Sequence, residues 1–231
     1  MKRPTSDIPQ NAVEIRVEGD DGVTECVVDG RVVGRRVYNE KGRIVRERSL
    51  KDGKQHGNEI VWDDDGTLLS VEPYFEGQIH GLAKQYGRHG KVIGTYRFVH
   101  GTGYDIWRWE WWEGFAPVSE VHSMRDGVPH GYEWWLDPDQ RSLDHERHWC
   151  EGKFHGVERR WNHRRKLHRG YPKYWIRGEA VTKRQYLKAV KSDKTLPRFR
   201  PKDNSPRRQF PPVIQKVLVR PTAAQRKRLK E

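Results

Sequence analysis

The chain has 231 residues, a formal net charge of +13 and only 34% hydrophobic residues, too few for a thick apolar core. Its 10 Trp, 9 Tyr and 6 Phe argue equally against a disordered polar chain, because aromatic side chains carry large buried areas. No apolar run approaches the roughly 18 residues that cross a bilayer, the opening MKRPTSDIPQ lacks the apolar stretch of a signal peptide, and Cys26 and Cys150 make neither a disulfide framework nor a CxxC pair, so a cytoplasmic protein with no membrane segment is expected.

Residues 1–26 read as a leader with a capping strand. From residue 27 a period takes over. The segments VDGRVVG, KDGKQHG, FEGQIHG, VHGTG, RDGVPHG and CEGKFHG place leading glycines at Gly30, Gly53, Gly77, Gly101, Gly127 and Gly152, separated by 23, 24, 24, 26 and 25 residues. A second glycine follows four residues later at Gly34, Gly57, Gly81, Gly131 and Gly156, and two later at Gly103. A half-period mark falls at Gly42, Gly66, Gly90 and Gly114, and at the equivalent Gln140 and Arg165. An aromatic precedes each mark by four or five residues: Tyr38, Trp62, Tyr86, Trp109, Trp135 and Trp161. Each unit, such as NEIVWDDDGTLLSVEPYF, reads as strand, Asp-Gly turn, strand. The glycines of the joining turns (Gly53, Gly57, Gly77, Gly81, Gly127, Gly131, Gly152, Gly156) are expected to be structural, placed where side chains would crowd the next backbone. A lone hairpin is marginal in water, so the six are expected to stack into an elongated, twisted antiparallel sheet over residues 27–170.

The run Tyr74-Phe75-Glu76-Gly77-x-x-His80-Gly81-x4-Tyr86, with its copies at Lys51–Trp62, Arg125–Trp135 and Cys150–Trp161, resembles the MORN repeat, and especially the MORN-variant repeats of the YwqK-type antitoxin family. The first unit departs in having Val33 where others have histidine, and the fourth is shortened to His100-Gly101-Thr102-Gly103. The resemblance implies a hairpin-repeat solenoid and, by the family's label, an antitoxin or immunity protein facing a toxin.

Residues 171–196 are expected to cap the array. YPKYWIRGE gives a last strand and turn, and AVTKRQYLKAVKSD a helix with a Thr182/Gln185 capping box and an apolar face of Tyr186, Leu187 and Val190. Beyond it, residues 197–231 hold six of the 13 prolines, which predicts an extended basic arm with VIQKVLV free to add to a partner's sheet edge. Thr222 to Lys230 read as a short basic helix formed on contact. With so few apolar residues, removing this arm is expected to leave the repeats folded.

The repeated His56, His80, His130 and His155 are expected to hydrogen-bond neighbouring turns, since same-position residues two strands apart lie about 10 Å from one another, too far to share a metal ion. Asp63, Asp64 and Asp65 read as a hairpin tip and not a calcium loop. His148 and Cys150 share a strand face, yet no third group orients them as a nucleophile pair. With no P-loop, GxSxG or HExxH, the chain is expected to have no catalytic residues, no metal, no cofactor and no small-molecule substrate. Trp107, Trp109 and Trp111 alternate along one strand face with Trp112 opposite, and read as sheet core or as a platform for a protein partner or stacked bases.

Charge is asymmetric: residues 1–158 carry net −7, residues 159–196 carry +11 and residues 197–231 carry +9. Arg159, Arg160, Arg164, Arg165 and Lys166 cluster at the last repeat, and Arg207, Arg208, Lys216, Arg220, Arg226, Lys227, Arg228 and Lys230 stud the arm. These thirteen are expected to contact nucleic acid or an acidic protein surface. The expectation is therefore a non-catalytic repeat scaffold that holds a protein partner, with a basic arm for a polyanion; an antitoxin and an RNA- or DNA-associated subunit are the alternatives.

Overall fold

A computed structural model describes residues 6–112 and 114–229, and of Asp21 the backbone alone. The protein is mainly β, and the chain divides into two compact units, Met1–Gly103 and Tyr104–Glu231.

The first unit runs through β1 (Val13–Val17), β2 (Asp20–Val28), β3 (Arg31–Tyr38), β4 (Ile44–Lys51), β5 (Lys54–Trp62), β6 (Leu68–Phe75), β7 (Gln78–Ile79), β8 (Gly81–Tyr86), β9 (Val92–Val99) and the start of β10 (Thr102–Arg108). Successive strands pair antiparallel. The low apolar content has a direct structural counterpart here. Sheet positions that would hold aliphatic residues hold cross-strand ion pairs, with Glu47 and Glu59 almost fully buried. Arg36 Nε donates to Glu47 at 2.8 Å, and Arg48 Nε to Glu59 at 2.8 Å. Ile8, Cys26, Ile60, Ala83, Tyr96 and Phe98 supply the buried apolar residues of this unit.

Two kinds of turn alternate. At the joining turns Asp29-Gly30, Asp52-Gly53, Glu76-Gly77, His100-Gly101, Asp126-Gly127 and Glu151-Gly152, both residues have positive φ, the geometry whose twist suits a two-residue hairpin. Arg177-Gly178 makes a seventh such turn in the segment expected to cap the array. The half-period tips differ, with one left-handed residue: Gly42, Gly66, Gly90, Gly114, Gln140 and Arg165. In Asp63–Thr67, Gly66 N donates to Asp63 O and Asp63 N to Thr67 O, 3.0 Å each, and Asn162–Lys166 repeats the pattern.

The joining turns bond to one another along the chain. Gly77 N donates to Gln55 O, Gly101 N to Ile79 O, Gly152 N to Pro129 O and Gly178 N to Phe154 O, at 2.7–2.9 Å. The repeated histidines sit beside these bonds. His80 Nδ1 accepts from His100 N at 3.1 Å, His130 Nδ1 from Glu151 N at 3.4 Å and His155 Nδ1 from Arg177 N at 3.0 Å. The second glycine admits close approach of the preceding strand. A Cβ at Gly57, Gly81, Gly131 or Gly156 would lie 2.6, 2.9, 3.1 or 2.7 Å from Ser49, Pro73, Ser123 or His148.

The second unit contains β11 (Val118–Arg125), β12 (Val128–Leu136), β13 (Leu143–Cys150), β14 (Lys153–Phe154), β15 (Gly156–Arg160), β16 (Lys173–Ile176) and β17 (Glu179–Val181). Then comes α1 (Lys183–Ala189), started by the Thr182/Gln185 capping box. Tyr186 is fully buried against Val157, Tyr174 and Leu196, with Val190 and Phe199 beside it. Leu187 is exposed instead, because the short helix reaches the sheet with one row of side chains only.

Residues 197–229 do not form an extended arm. They carry a 3-10 turn at Pro201–Asn204, α2 (Pro212–Gln215) and α3 (Ala223–Arg228), and they pack on the second unit. Phe210 and Ile214 are buried, and Phe210 stands edge-on to Trp134 at 5.4 Å. VIQKVLV is thus in part helical and supplies a core residue in place of a free strand. The segment contributes core side chains, which argues against the expectation that its removal would leave the repeats folded.

Candidate functional site

The tips of the last two repeat hairpins and the returning C-terminal segment enclose a cleft of about 460 Å³ in the second unit. Its wall includes Arg141, Arg165, Arg207, Arg220 and Arg226, against Asp137 and Asp139, with Trp111 and Pro221 on the apolar side. Each arginine is placed by a local feature. Arg165 occupies the left-handed position of its tip at φ 60°, and its Nη2 donates to Asp139 at 2.7 Å. Arg141 follows the left-handed Gln140 of the neighbouring tip. Gln140 is itself buried, and its amide is clamped to the Val118 backbone at 2.9 and 2.8 Å. Arg207 is fixed by a bridge to Ser142 and by Leu143 N donating to Pro206 O at 3.0 Å. Arg226 lies on α3, where its Nη1 donates to Pro221 O at 2.9 Å.

The guanidinium groups of Arg141, Arg207 and Arg220 are in no ion pair among the described residues, and all three residues are exposed. The cleft therefore presents uncompensated positive charge. Burial raises the Asp137 carboxyl above its ordinary value, and the nearby Asp139 and Asp144 add to the rise.

Of the thirteen basic residues expected to contact a polyanion, Arg165, Arg207, Arg220 and Arg226 come together here. Arg159 and Arg208 are engaged elsewhere, by a carboxylate. Arg159 Nη1 donates to Glu146 at 2.8 Å, and Arg208 Nε and Nη2 reach the same carboxylate at 2.7 and 2.8 Å. Trp134 Nε1 completes the set at 3.0 Å. Both arginines are consumed by one buried acid, and they fasten the C-terminal segment to β13. Burial opposes the Glu146 charge, yet Arg208 and then Arg159 hold its carboxyl below the ordinary value. Arg160, Arg164, Lys166, Lys216 and Lys227 are exposed outside the cleft wall. Arg228 lies over the Trp112 ring at 4.4 Å, and Lys230 lies outside the described residues. Arg141 escaped the sequence reasoning because it sits in a net-acidic stretch. Aligning the half-period marks Gln140 and Arg165 places the two tips side by side and would have found it.

The four tryptophans do not form one stripe. β10 stops at Arg108, and beyond it Trp109 N donates to Pro117 O and Trp111 N to Phe115 O across a hairpin tip. Trp112 stacks on Phe115 at 4.9 Å. Trp107 is half-buried on β10, while Trp109 and Trp111 are 63% and 46% exposed. These two line a second cleft of about 300 Å³ with Pro117, Leu136 and Pro138. Trp111 and Pro138 belong to both clefts.

Other candidate chemistry is occupied by structure. His148 Nδ1 meets the His155 carbonyl at 2.6 Å. Burial pushes the Cys150 thiol up, the reverse of an activated nucleophile. Among the described residues, no group of three or more His, Cys, Asp or Glu is placed to hold a metal ion, and no helix is long and apolar enough to cross a membrane. Fold and site together define an antiparallel β-hairpin protein with an arginine-lined, tryptophan-edged cleft. Comparison with protein-family models and with curated proteins gives no match for this chain.

Proposed function

We propose that the protein is a non-catalytic scaffold of MORN-like hairpin repeats, acting in the cytoplasm, whose second unit holds an anionic partner in the arginine-lined cleft. The observation that carries this reading is the convergence of five arginines from two repeat tips and the C-terminal segment on one cleft that holds two aspartates. Arginine forks bind phosphate, sulfate and carboxylate groups bidentately, and among the described residues only Arg165 of the five is paired with a carboxylate. The buried Glu146 node supports the reading further, because it holds the C-terminal segment where Arg207, Arg220 and Arg226 face Arg141.

The test is calorimetric titration of the full chain with an unlabelled heparin-derived oligosaccharide, which is polyanionic and carries no aromatic group. Binding that weakens on Arg207→Ser and Arg220→Ser and falls with added salt is expected. Failure to bind, or binding indifferent to both substitutions, would overturn the proposal.

A further inference from the structure

Resting on the reading that the cleft takes an anion, we infer that its ligand is single-stranded nucleic acid, with phosphates on Arg141, Arg207 and Arg220 and a base stacked on Trp111. Charge alone does not select this ligand; the tryptophans do. Trp109 and Trp111 keep 63% and 46% of their surface in solvent in a chain where Trp134 and Trp161 are buried. Large exposed aromatics beside a charged cleft mark a surface that gains from covering them. Trp111 and Pro138 line both clefts, so the arginine-rich cleft borders one lined by Trp109, Pro117 and Leu136, with Glu120 and Ser119 as its polar side chains.

A strand with phosphates on one side and planar bases on the other matches that succession. An acidic peptide satisfies the arginines and leaves both indoles without a planar partner. In a duplex the base faces are stacked on one another and out of reach of an indole, whereas unpaired bases stack on aromatic side chains whatever their sequence. Little base preference is therefore expected. The guanidiniums are assigned to phosphates, which are common to every nucleotide, and an indole stacks on any base, whereas sequence readout requires contacts to base edges.

The experiment titrates the full chain by calorimetry with four unlabelled probes: a single-stranded oligouridylate of about ten nucleotides, the same length of duplex RNA, the heparin-derived oligosaccharide and a polyglutamate peptide. Oligouridylate is expected to bind most tightly and to quench tryptophan fluorescence. Trp111→Ala should weaken it about tenfold, a loss in line with one base–aromatic stack. Trp111→Phe should keep most of the affinity, and the oligosaccharide should be indifferent to both changes. Trp111 is exposed, and folding of each variant is checked by circular dichroism. Oligosaccharide binding with an oligouridylate affinity unmoved by Trp111→Ala would overturn the nucleic-acid inference and leave the anion reading standing. Preference for duplex or for polyglutamate would overturn it in the same way. Absence of binding to every probe would overturn both.

Discussion

At the scale of single residues, position 165 shows structure conceding to function. Five of the six half-period marks are held by glycine or by the clamped Gln140, while the sixth is Arg165 at φ 60° with its side chain in the cleft. A non-glycine residue in the left-handed region costs about 1 kcal/mol, and its partly exposed pair with Asp139 returns little of that. Arg165→Gly is therefore expected to raise stability by up to about 1 kcal/mol while weakening anion binding; urea unfolding and the oligosaccharide titration together check it. Gly81 is the converse case. It combines φ 121° with Pro73 Cγ only 2.9 Å from a built Cβ, whereas Gly77 has the positive φ and open space around it. In urea melts Gly81→Ala should cost more than about 2 kcal/mol and Gly77→Ala about 1 kcal/mol. Equal losses would show that crowding at Pro73 is not felt.

Glu146 sets the strongest single-residue expectation. Glu146→Gln leaves the buried Arg159 and the largely buried Arg208 without their charge partner, a loss of about 3–5 kcal/mol. Its carboxyl is held below the ordinary 4.5 in the fold, so its contribution is present above that value and is lost as the pH falls through the lower folded value. Release of the C-terminal segment on acidification, read by hydrogen exchange across residues 197–229, should therefore occur below pH 4.5. Retention of protection there would contradict the Glu146 anchor.

At the scale of elements, turns were more legible than strand ends. Glycine spacing placed the joining turns at their observed positions because positive φ is demanded locally and glycine answers it. Arg177-Gly178 completes the same series, since Arg177 accepts the left-handed conformation and Gly178 falls one period after Gly152. The end of β10 at Arg108 was not legible, because Trp109 and Trp111 continue the alternation while the backbone has entered a tip. Nor was the docking of residues 197–229 legible. Phe210 and Arg208 are among the side chains that carry it, and their partners Trp134 and Glu146 lie more than sixty residues earlier. Burial of a side chain such as Phe210 or Ile214 stabilises by about 2 kcal/mol, so deleting residues 197–231 should lower the melting temperature of the second unit. An unchanged melt would restore the free-arm reading.

The histidines give a second check at this scale. Burial opposes charge on His122, but Glu133 at 2.7 Å and Glu120 at 3.1 Å raise its pKa above 6.5. Burial lowers those of His148 and His155. A raised histidine stabilises below 6.5 and loses that contribution as the pH climbs through its folded value. An NMR titration should accordingly show His122 deprotonating last of the three. The opposite order would refute the placement of His122 between its two carboxylates.

At the scale of the whole molecule, the sequence located charge correctly in bulk and only in part by residue. The acidic first 158 positions and the basic remainder are visible by counting. Which basic side chains stay free depends on the carboxylates folded against them. Glu146 removes Arg159 and Arg208, while Arg141, from the acidic stretch, joins the cleft. The central claim is that this cleft, and not diffuse basic charge, takes the anion. Its most direct test is the salt dependence of oligouridylate binding to the full chain and to the triple variant Arg141→Ser, Arg207→Ser, Arg220→Ser. Three phosphate contacts predict a slope of log affinity against log salt of about −2, falling to near zero in the variant. Equal slopes for the two proteins would contradict the claim.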